Sequence, residues 1–442
     1  MTLLDAAATT AFAISGGGGV VDQQHGGRVT SSSSAATRLG SIDPAPPSSG
    51  TREGSRPLFS FGVIADVQYA DQDDGWNFRK DYRRYYRGGL LKLRDAVDWW
   101  LKDETHRFAL QLGDVIDGFN KRNGHSEIAL SRVKAEVDRL AASLPLGVLN
   151  SLGNHELYNF PKDRWAKELD CSNRARAVTL RPSGLAGSAA AAKHQDLGAA
   201  DICAAEGVNN GQAGGEQEEG VEEECFYYSF CPDDAHRFIA LDSYEVNAIR
   251  EEPGPDELKA QGEEEEEEGR ADGATGDSGE EGMEVLSKHN PNRDKNNAEG
   301  MDGLSKRFVQ YNGGVSAKQL LWLEDQLTAA SRAGQRVIGF GHVPIHPAEP
   351  SSHTLLWNYQ EVLEVMHRFD CVALFLSGHR HRETYFQDEK GIHHVSLAAA
   401  LEAPPDQEAF ASIDVYSDTL ELRGHGIVES RTLSVRALAE CS

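Results

Sequence analysis

VALFLSGHRHRETY, residues 372–385, runs from an unbroken apolar stretch through a glycine into two histidines one residue apart, His379 and His381. A short apolar run bounded by glycine reads as a strand buried on both faces. Ending such a strand in imidazoles is unusual, and four other stretches end comparably. FGVIADVQYAD (61–71) leads into Asp66 and Gln68, and LQLGDVIDG (110–118) into Asp114 and Asp117. NSLGNHE (150–156) leads into Asn154 and His155, and IGFGH (338–342) into His342. Each apolar run therefore stops at a small residue and a carboxylate, amide or imidazole.

Around these five points the chain alternates strand, loop and helix. Further strand signal appears in FIAL (238–241), and ASIDVYSDTLELRGHG (411–426) alternates about an Asp-containing turn as a hairpin does. Helical periodicity appears in YYRGGLLKLRDAVDWWL, SEIALSRVKAEVDRLAASL and WNYQEVLEVMHRF, and in SAKQLLWLEDQLTAASRAG with Ser316 as N-cap and Gly334 as stop. The mixture predicts a layered α/β fold. In such folds the ends of neighbouring strands share a crevice, so residues remote in sequence converge there. Taken singly, an Asp, Asn or His after a strand also serves as a turn former or cap. Five together, with oxygen and imidazole donors and no thiolate, suit Mn²⁺, Fe²⁺ or Zn²⁺ better than a structural cysteine-zinc site. Two ions need a shared ligand, and the carboxylate of Asp114 is the candidate.

The composition narrows the partners. Of the net charge of −26, residues 201–225 carry −8 and residues 251–286 carry −13, which leaves −5 for the remainder. Acidity is thus local, and the basic footprint of a nucleic-acid binder is missing. No run approaches the ~18 apolar residues of a membrane span. Six cysteines without a CxxC spacing fit reduced thiols in the cytoplasm, and a monomer is expected. Residues 1–56 read as a disordered tail, with an organelle transit peptide left open. Residues of about 180–222 and 251–283 read as disordered low-complexity insertions within one domain spanning 57–435.

The order D-x-[HQ], GDxxD, GNH[ED], GH and GHxH resembles the binuclear metallophosphoesterases. YYRGGLLKL, GNHELYNF, LDSYEV, HNPN, YNGGVS, HVPIHP, WNYQ, GIHHV and LEAPPDQEAF extend the likeness toward the manganese-dependent branch acting on ADP-ribose and CDP-alcohols such as CDP-choline. The resemblance covers Phe59 to Leu433 apart from the insertions. It implies two packed mixed β-sheets flanked by helices, and a pair of divalent cations, Mn²⁺ preferred with Mg²⁺, Fe²⁺ or Zn²⁺ as substitutes. Asp66, Gln68, Asp114 and His381 would hold one ion, and Asp114, Asn154, His342 and His379 the other. A water activated between them would cleave the pyrophosphate link, giving a nucleoside monophosphate and a phosphorylated sugar or alcohol. His155, off the metals, would act on phosphate or leaving group, with Asp117 orienting it. A cyclic-nucleotide phosphodiesterase, a phosphomonoesterase and a non-catalytic scaffold remain alternatives on the same fold.

Two stretches keep two readings each. In DDGWNFRKDYRRYYR (73–87), Trp76 or Phe78 would stack a nucleobase with Arg83 or Arg84 on phosphate. Otherwise Tyr85, Tyr86 and Leu90 pack inward from a helix and the arginines face water. After the last motif, Arg380 and Arg382 stand where the family carries a small polar residue and Asp-Gly-Gly; they would assist an anionic substrate or point to solvent. His346, His393 and His394 read as hydrogen-bonded positions beside the site.

Overall fold

A computed structural model describes residues 56–77, 80–169, 226–250, 255, 277–347 and 353–437. The tail reading for 1–56 apart from its last residue, all of the first insertion reading and most of the second lie outside these residues. At the second, residues 277–283 are ordered as the start of a helix, so the stretch read as 251–283 extends too far. Met283 and Leu286, three residues apart on one side of that helix, pack with Val246, Phe308 and Trp357, which supplies the burial that a charge count overlooks.

Two six-stranded mixed sheets form the architecture. The first contains β1 (Phe59–Ile64), β4 (His106–Gln111), β5 (Val148–Asn150), β12 (Ala409–Val415), β13 (Thr419–Gly426) and β14 (Arg431–Ser434), in the order β14-β13-β12-β1-β4-β5. The second contains β6 (Tyr228–Asp233), β7 (His236–Ala240), β8 (Arg336–Phe340), β9 (Val372–Ser377), β10 (Thr384–Gln387) and β11 (His393–Ser396), in the order β10-β11-β9-β8-β7-β6. A two-residue ribbon pairs β2 (Gly75–Trp76) with β3 (Arg83–Arg84). β1, β4 and β5 run parallel, as do β7, β8, β9 and β11. The parallel strands read as continuous apolar runs because both of their faces are covered.

An aromatic layer joins the sheets. Phe61 stacks on Phe108 at 5.1 Å, and Phe238 from the other sheet meets both edge-on at 5.2 and 5.1 Å. Each ring contributes about 1.5–3 kcal/mol through burial, plus a smaller amount from edge-to-face geometry.

The helices are α1 (Tyr86–Trp100), α2 (Phe119–Arg122), α3 (Ser126–Ser143), α4 (Asn154–Asn159), α5 (Lys162–Leu169), α6 (Asp277–His289), α7 (Ala317–Arg332) and α8 (Tyr359–Met366). The expected cap of α7 is present, with Ser316 accepting from the Gln319 N–H at 3.1 Å. α1 lays Leu93, Ala96, Val97 and Trp100 on the first sheet, following the 3.6-residue stripe of its sequence. It approaches so closely that a Cβ at Gly89 would overlap the carbonyl oxygen of Val67, between Asp66 and Gln68. Gly89→Ala is therefore expected to destabilise the protein by about 1–3 kcal/mol through overpacking, read as a lowered midpoint in urea with an unchanged slope.

Candidate metal centre

The five predicted strand ends converge. β1 delivers Asp66 and Gln68, β4 delivers Asp114 and Asp117, β5 leads to Asn154 and His155 at the start of α4, β8 delivers His342, and β9 delivers His379 and His381. All are C-terminal ends of parallel strands, so the crevice lies where the two sheets present the same edge. Sharp turns bring the side chains inward. Asp66, Gln68, Asp114, His379 and His381 adopt φ of 52°, 39°, 60°, 65° and 61°, five of the six positive-φ non-glycine residues among those described. Such left-handed conformations are unfavourable for side-chain-bearing residues and collect at functional sites. Gly113, at φ 98°, has its Cα so close to the His342 ring that any side chain would displace the imidazole.

Each histidine is fixed by its outward nitrogen. His342 donates Nδ1–H to the Leu112 carbonyl at 2.7 Å, His379 donates Nε2–H to Asn312 Oδ1 at 2.6 Å, and His381 donates Nδ1–H to Glu402 Oε1 at 2.9 Å. These bonds choose the tautomer and turn the remaining nitrogen toward the centre. His342 Nε2 then lies 3.3 Å from Asp114 Oδ2 and 3.1 Å from His379 Nδ1, while His381 Nε2 lies 3.5 Å from Asp66 Oδ1. Gln68 donates from Nε2 to Asp114 Oδ2 at 3.0 Å and to His381 Nε2 at 2.9 Å. Its Oε1 is buried without a hydrogen-bond partner.

Asp114 is held from several sides. Its Oδ1 accepts the His155 N–H at 2.8 Å. Glu156, fully buried, accepts the backbone N–H groups of Asp114, Val115 and Gly153 at 2.7, 2.6 and 2.7 Å, clamping the loop after β4 to the start of α4. Asn154 Oδ1 accepts from the Tyr244 hydroxyl at 3.2 Å.

The titration behaviour follows from crowding these groups away from water. Burial pushes the Asp66 carboxyl up, against the pull of His381 and His342. Burial also acts to raise Asp114, but His342 and His155 outweigh it and hold that carboxyl well below its usual range. Burial, and then the charge of Asp114, pushes Glu156 up to about 8. For His342 burial opposes protonation, and Asp114 overcomes it, raising the imidazole to about 9. His379 is driven far down by burial and by its neighbour His342.

Two donor groups have ligand atoms within 4.8 Å of one another: Asp114, His342 and His379 in one, and Asp66, Asp114 and His381 in the other. They share Asp114. Hard carboxylate oxygens, an orphaned amide oxygen and three oriented imidazoles fit a pair of divalent cations such as Mn²⁺.

His155 stands at the rim, with its ring edge-on to Tyr158. Its Nδ1 accepts the Gly118 N–H at 3.0 Å and lies 3.3 Å from Asp117 Oδ2. Asp117 Oδ1 accepts the Phe119 N–H at 2.9 Å, while Oδ2 is buried without a hydrogen bond.

The stretch with two readings divides. Trp76 is exposed on the ribbon and carries Arg83, whose guanidinium sits 5.5 Å from its ring centre. Phe78 lies outside the described residues. Arg84 turns to Glu402, 3.7 Å from Nε to Oε1. Arg382 does the same at 2.5 Å while lying over the Tyr82 ring, so it neither points freely to solvent nor stands clear as an anion contact. Tyr86 packs inward at the start of α1 as the core reading expects. Among the three further histidines, His393 donates to the Ser434 carbonyl at 2.9 Å and His394 reaches Asp388 at 3.0 Å. His346 departs from expectation: its Nδ1 is buried without a partner and its ring stacks on Phe386 at 4.4 Å. Glu156, Tyr244, Asn312 and Glu402 were not anticipated as site residues. They lie inside GNHELYNF, LDSYEV, YNGGVS and LEAPPDQEAF, the stretches that carried the resemblance, and that is the only sequence signal for them.

No family model matches the chain. It is 35% identical to the manganese-dependent ADP-ribose/CDP-alcohol diphosphatase of Xenopus tropicalis over 86% of this chain and 95% of that protein. It is 35% identical to the Arabidopsis thaliana protein of the same name over 85% and 96%, and 32% identical to the Homo sapiens one over 89% and 98%. A crystal structure of a dimetal phosphatase from Danio rerio superposes with a TM-score of 0.66 at 32% identity, covering 86% of this chain and all of that one. The chain belongs to the manganese-dependent ADP-ribose/CDP-alcohol diphosphatases, a family of the binuclear metallophosphoesterase fold.

Proposed function

We propose that the protein hydrolyses the pyrophosphate bond of ADP-ribose and of CDP-alcohols with two Mn²⁺ ions, releasing a nucleoside monophosphate and a phosphorylated sugar or alcohol. The observation that carries this reading is the pair of donor groups meeting on Asp114. Asp66, Gln68, Asp114 and His381 would hold one ion, and Asp114, Asn154, His342 and His379 the other. A bound cation pair supplies Lewis acidity at phosphoryl oxygens and makes water a nucleophile near neutral pH.

The chain's own groups supply the rest. The three outward hydrogen bonds keep the imidazoles in one tautomer without reorganisation, and the Glu156 clamp holds the Asp114 loop against α4. His155, off the ligand set and partly exposed, delivers a proton to the departing phosphate oxygen. Asp117 Oδ2, 3.3 Å from His155 Nδ1, orients the ring so that Nε2 is the nitrogen left for the proton transfer. One domain, residues 57–435, carries the activity; we read the chain as a monomer, and its sparse cysteines support a cytoplasmic location.

The test is a substrate panel of ADP-ribose, CDP-choline, cyclic AMP and an aryl phosphate, with Mn²⁺ and Mg²⁺ compared. Release of AMP from ADP-ribose and CMP from CDP-choline, faster with Mn²⁺, is the expected result. Preferential cleavage of cyclic AMP or the aryl phosphate would replace this reading with a phosphodiesterase or phosphomonoesterase.

A further inference from the structure

Between β11 and β12 the chain reaches the centre through a short 3₁₀ turn, Ala400–Glu402. Its backbone is tied to the site loops after β1 and β9 and to the segment before α1. Ala400 and Leu401 donate to the carbonyls of Ala65 and Asp66 at 3.1 and 3.0 Å, and Ala399 donates to the His381 carbonyl at 3.3 Å. Tyr85, just before α1, donates to the Leu401 carbonyl at 2.8 Å. The Glu402 carboxylate completes the connection, being 7% exposed, with Oε1 on His381 Nδ1 and Oε2 on Arg382 Nη2. Arg84 lies beside the same carboxylate on its other side.

We propose that Glu402 is a positioning residue for the metal centre, acting through His381 to hold the ion on the Asp66 side, with Arg382 and Arg84 fixing its carboxylate. The inference rests on the reading of His381 as a ligand. A buried carboxylate with two guanidinium neighbours has little freedom to rotate, so its Oε1 presents one acceptor direction to His381. The imidazole then has one orientation, with Nε2 directed at Asp66 and Gln68. A carboxylate behind a ligating histidine also makes the imidazole a stronger donor, and losing such a partner typically costs about 10–100-fold in metal affinity. Of the three histidines, His381 alone is oriented by a charged group; His342 uses a backbone carbonyl and His379 an amide. Arg84 and Arg382, for which the sequence left an anion contact or a solvent-facing place open, thus support the metal site from behind.

The experiment is a Mn²⁺ titration of the full-length, chelator-stripped protein, with free Mn²⁺ followed by electron paramagnetic resonance and the metal-free melting temperature measured in parallel. Wild type, Glu402→Gln, Glu402→Ala and Arg382→Ala are compared. Wild type is expected to bind two ions. Glu402→Ala should weaken one of them by about 10–100-fold and leave the other within about threefold. Glu402→Gln keeps an acceptor for Nδ1–H and should lose less, at an unchanged melting temperature, with Arg382→Ala weakening the same ion. Wild-type affinity for both ions in both Glu402 variants overturns the inference, as does equal weakening of both ions with a lowered melting temperature. Fewer than two ions in wild type removes the two-cation reading itself, and this inference with it.

Discussion

Asp114→Asn is expected to reduce Mn²⁺-dependent hydrolysis of ADP-ribose to the level of chelator-treated protein. The carboxylate stands in both donor groups, so one substitution disturbs both ions. If each ion supplies about 3 kcal/mol of transition-state stabilisation, losing their joint action costs on the order of 10⁴-fold in kcat/KM. The asparagine retains an oxygen for the His155 N–H, which keeps the local fold comparable. Steady-state kinetics alongside metal analysis checks this. Two bound ions with more than about a tenth of wild-type turnover would show that Asp114 is not the shared ligand.

His155→Ala separates proton transfer from metal binding. Its imidazole lies outside both donor groups, so metal content should stay at two per chain while kcat falls by about 10²–10⁴-fold, the range for a removed general acid. KM should change little, since the lost interaction acts mainly in the transition state. A second measurement sharpens the result: a substrate whose leaving group needs no proton should be spared most of the loss. Equal losses on good and poor leaving groups would place His155 in substrate binding instead.

Much of the centre was legible because ligands placed just after parallel strands leave a local mark: an apolar run, a small residue, then a donor. All five such endings fold to one crevice, and the Ser316 cap and the 411–426 hairpin were equally readable because each is set by neighbouring residues. What escaped notice depends on long-range contact. Glu402 meets His381 across 21 positions by way of a 3₁₀ turn that no periodicity marks, and Tyr244 reaches Asn154 across 90. Arg84 and Arg382 illustrate the converse difficulty. Guanidinium beside a phosphatase motif suggests phosphate, and only the folded chain shows a carboxylate in the way. The four-residue strands β10 and β14 lack strong alternation or clear bounds and owe their state to the sheet edges they form.

The left-handed turns at Asp66, Gln68, Asp114, His379 and His381 carry a cost that folding alone would not select. Each such conformation is unfavourable by roughly 1–2 kcal/mol for a residue with a side chain, somewhat less for aspartate, and glycine would relieve it. The chemistry of the centre is therefore in direct competition with the ease of folding. Random stabilising changes would tend to erase the ligands first, so the sequence holds its donors against a thermodynamic slope that cation binding has to reverse.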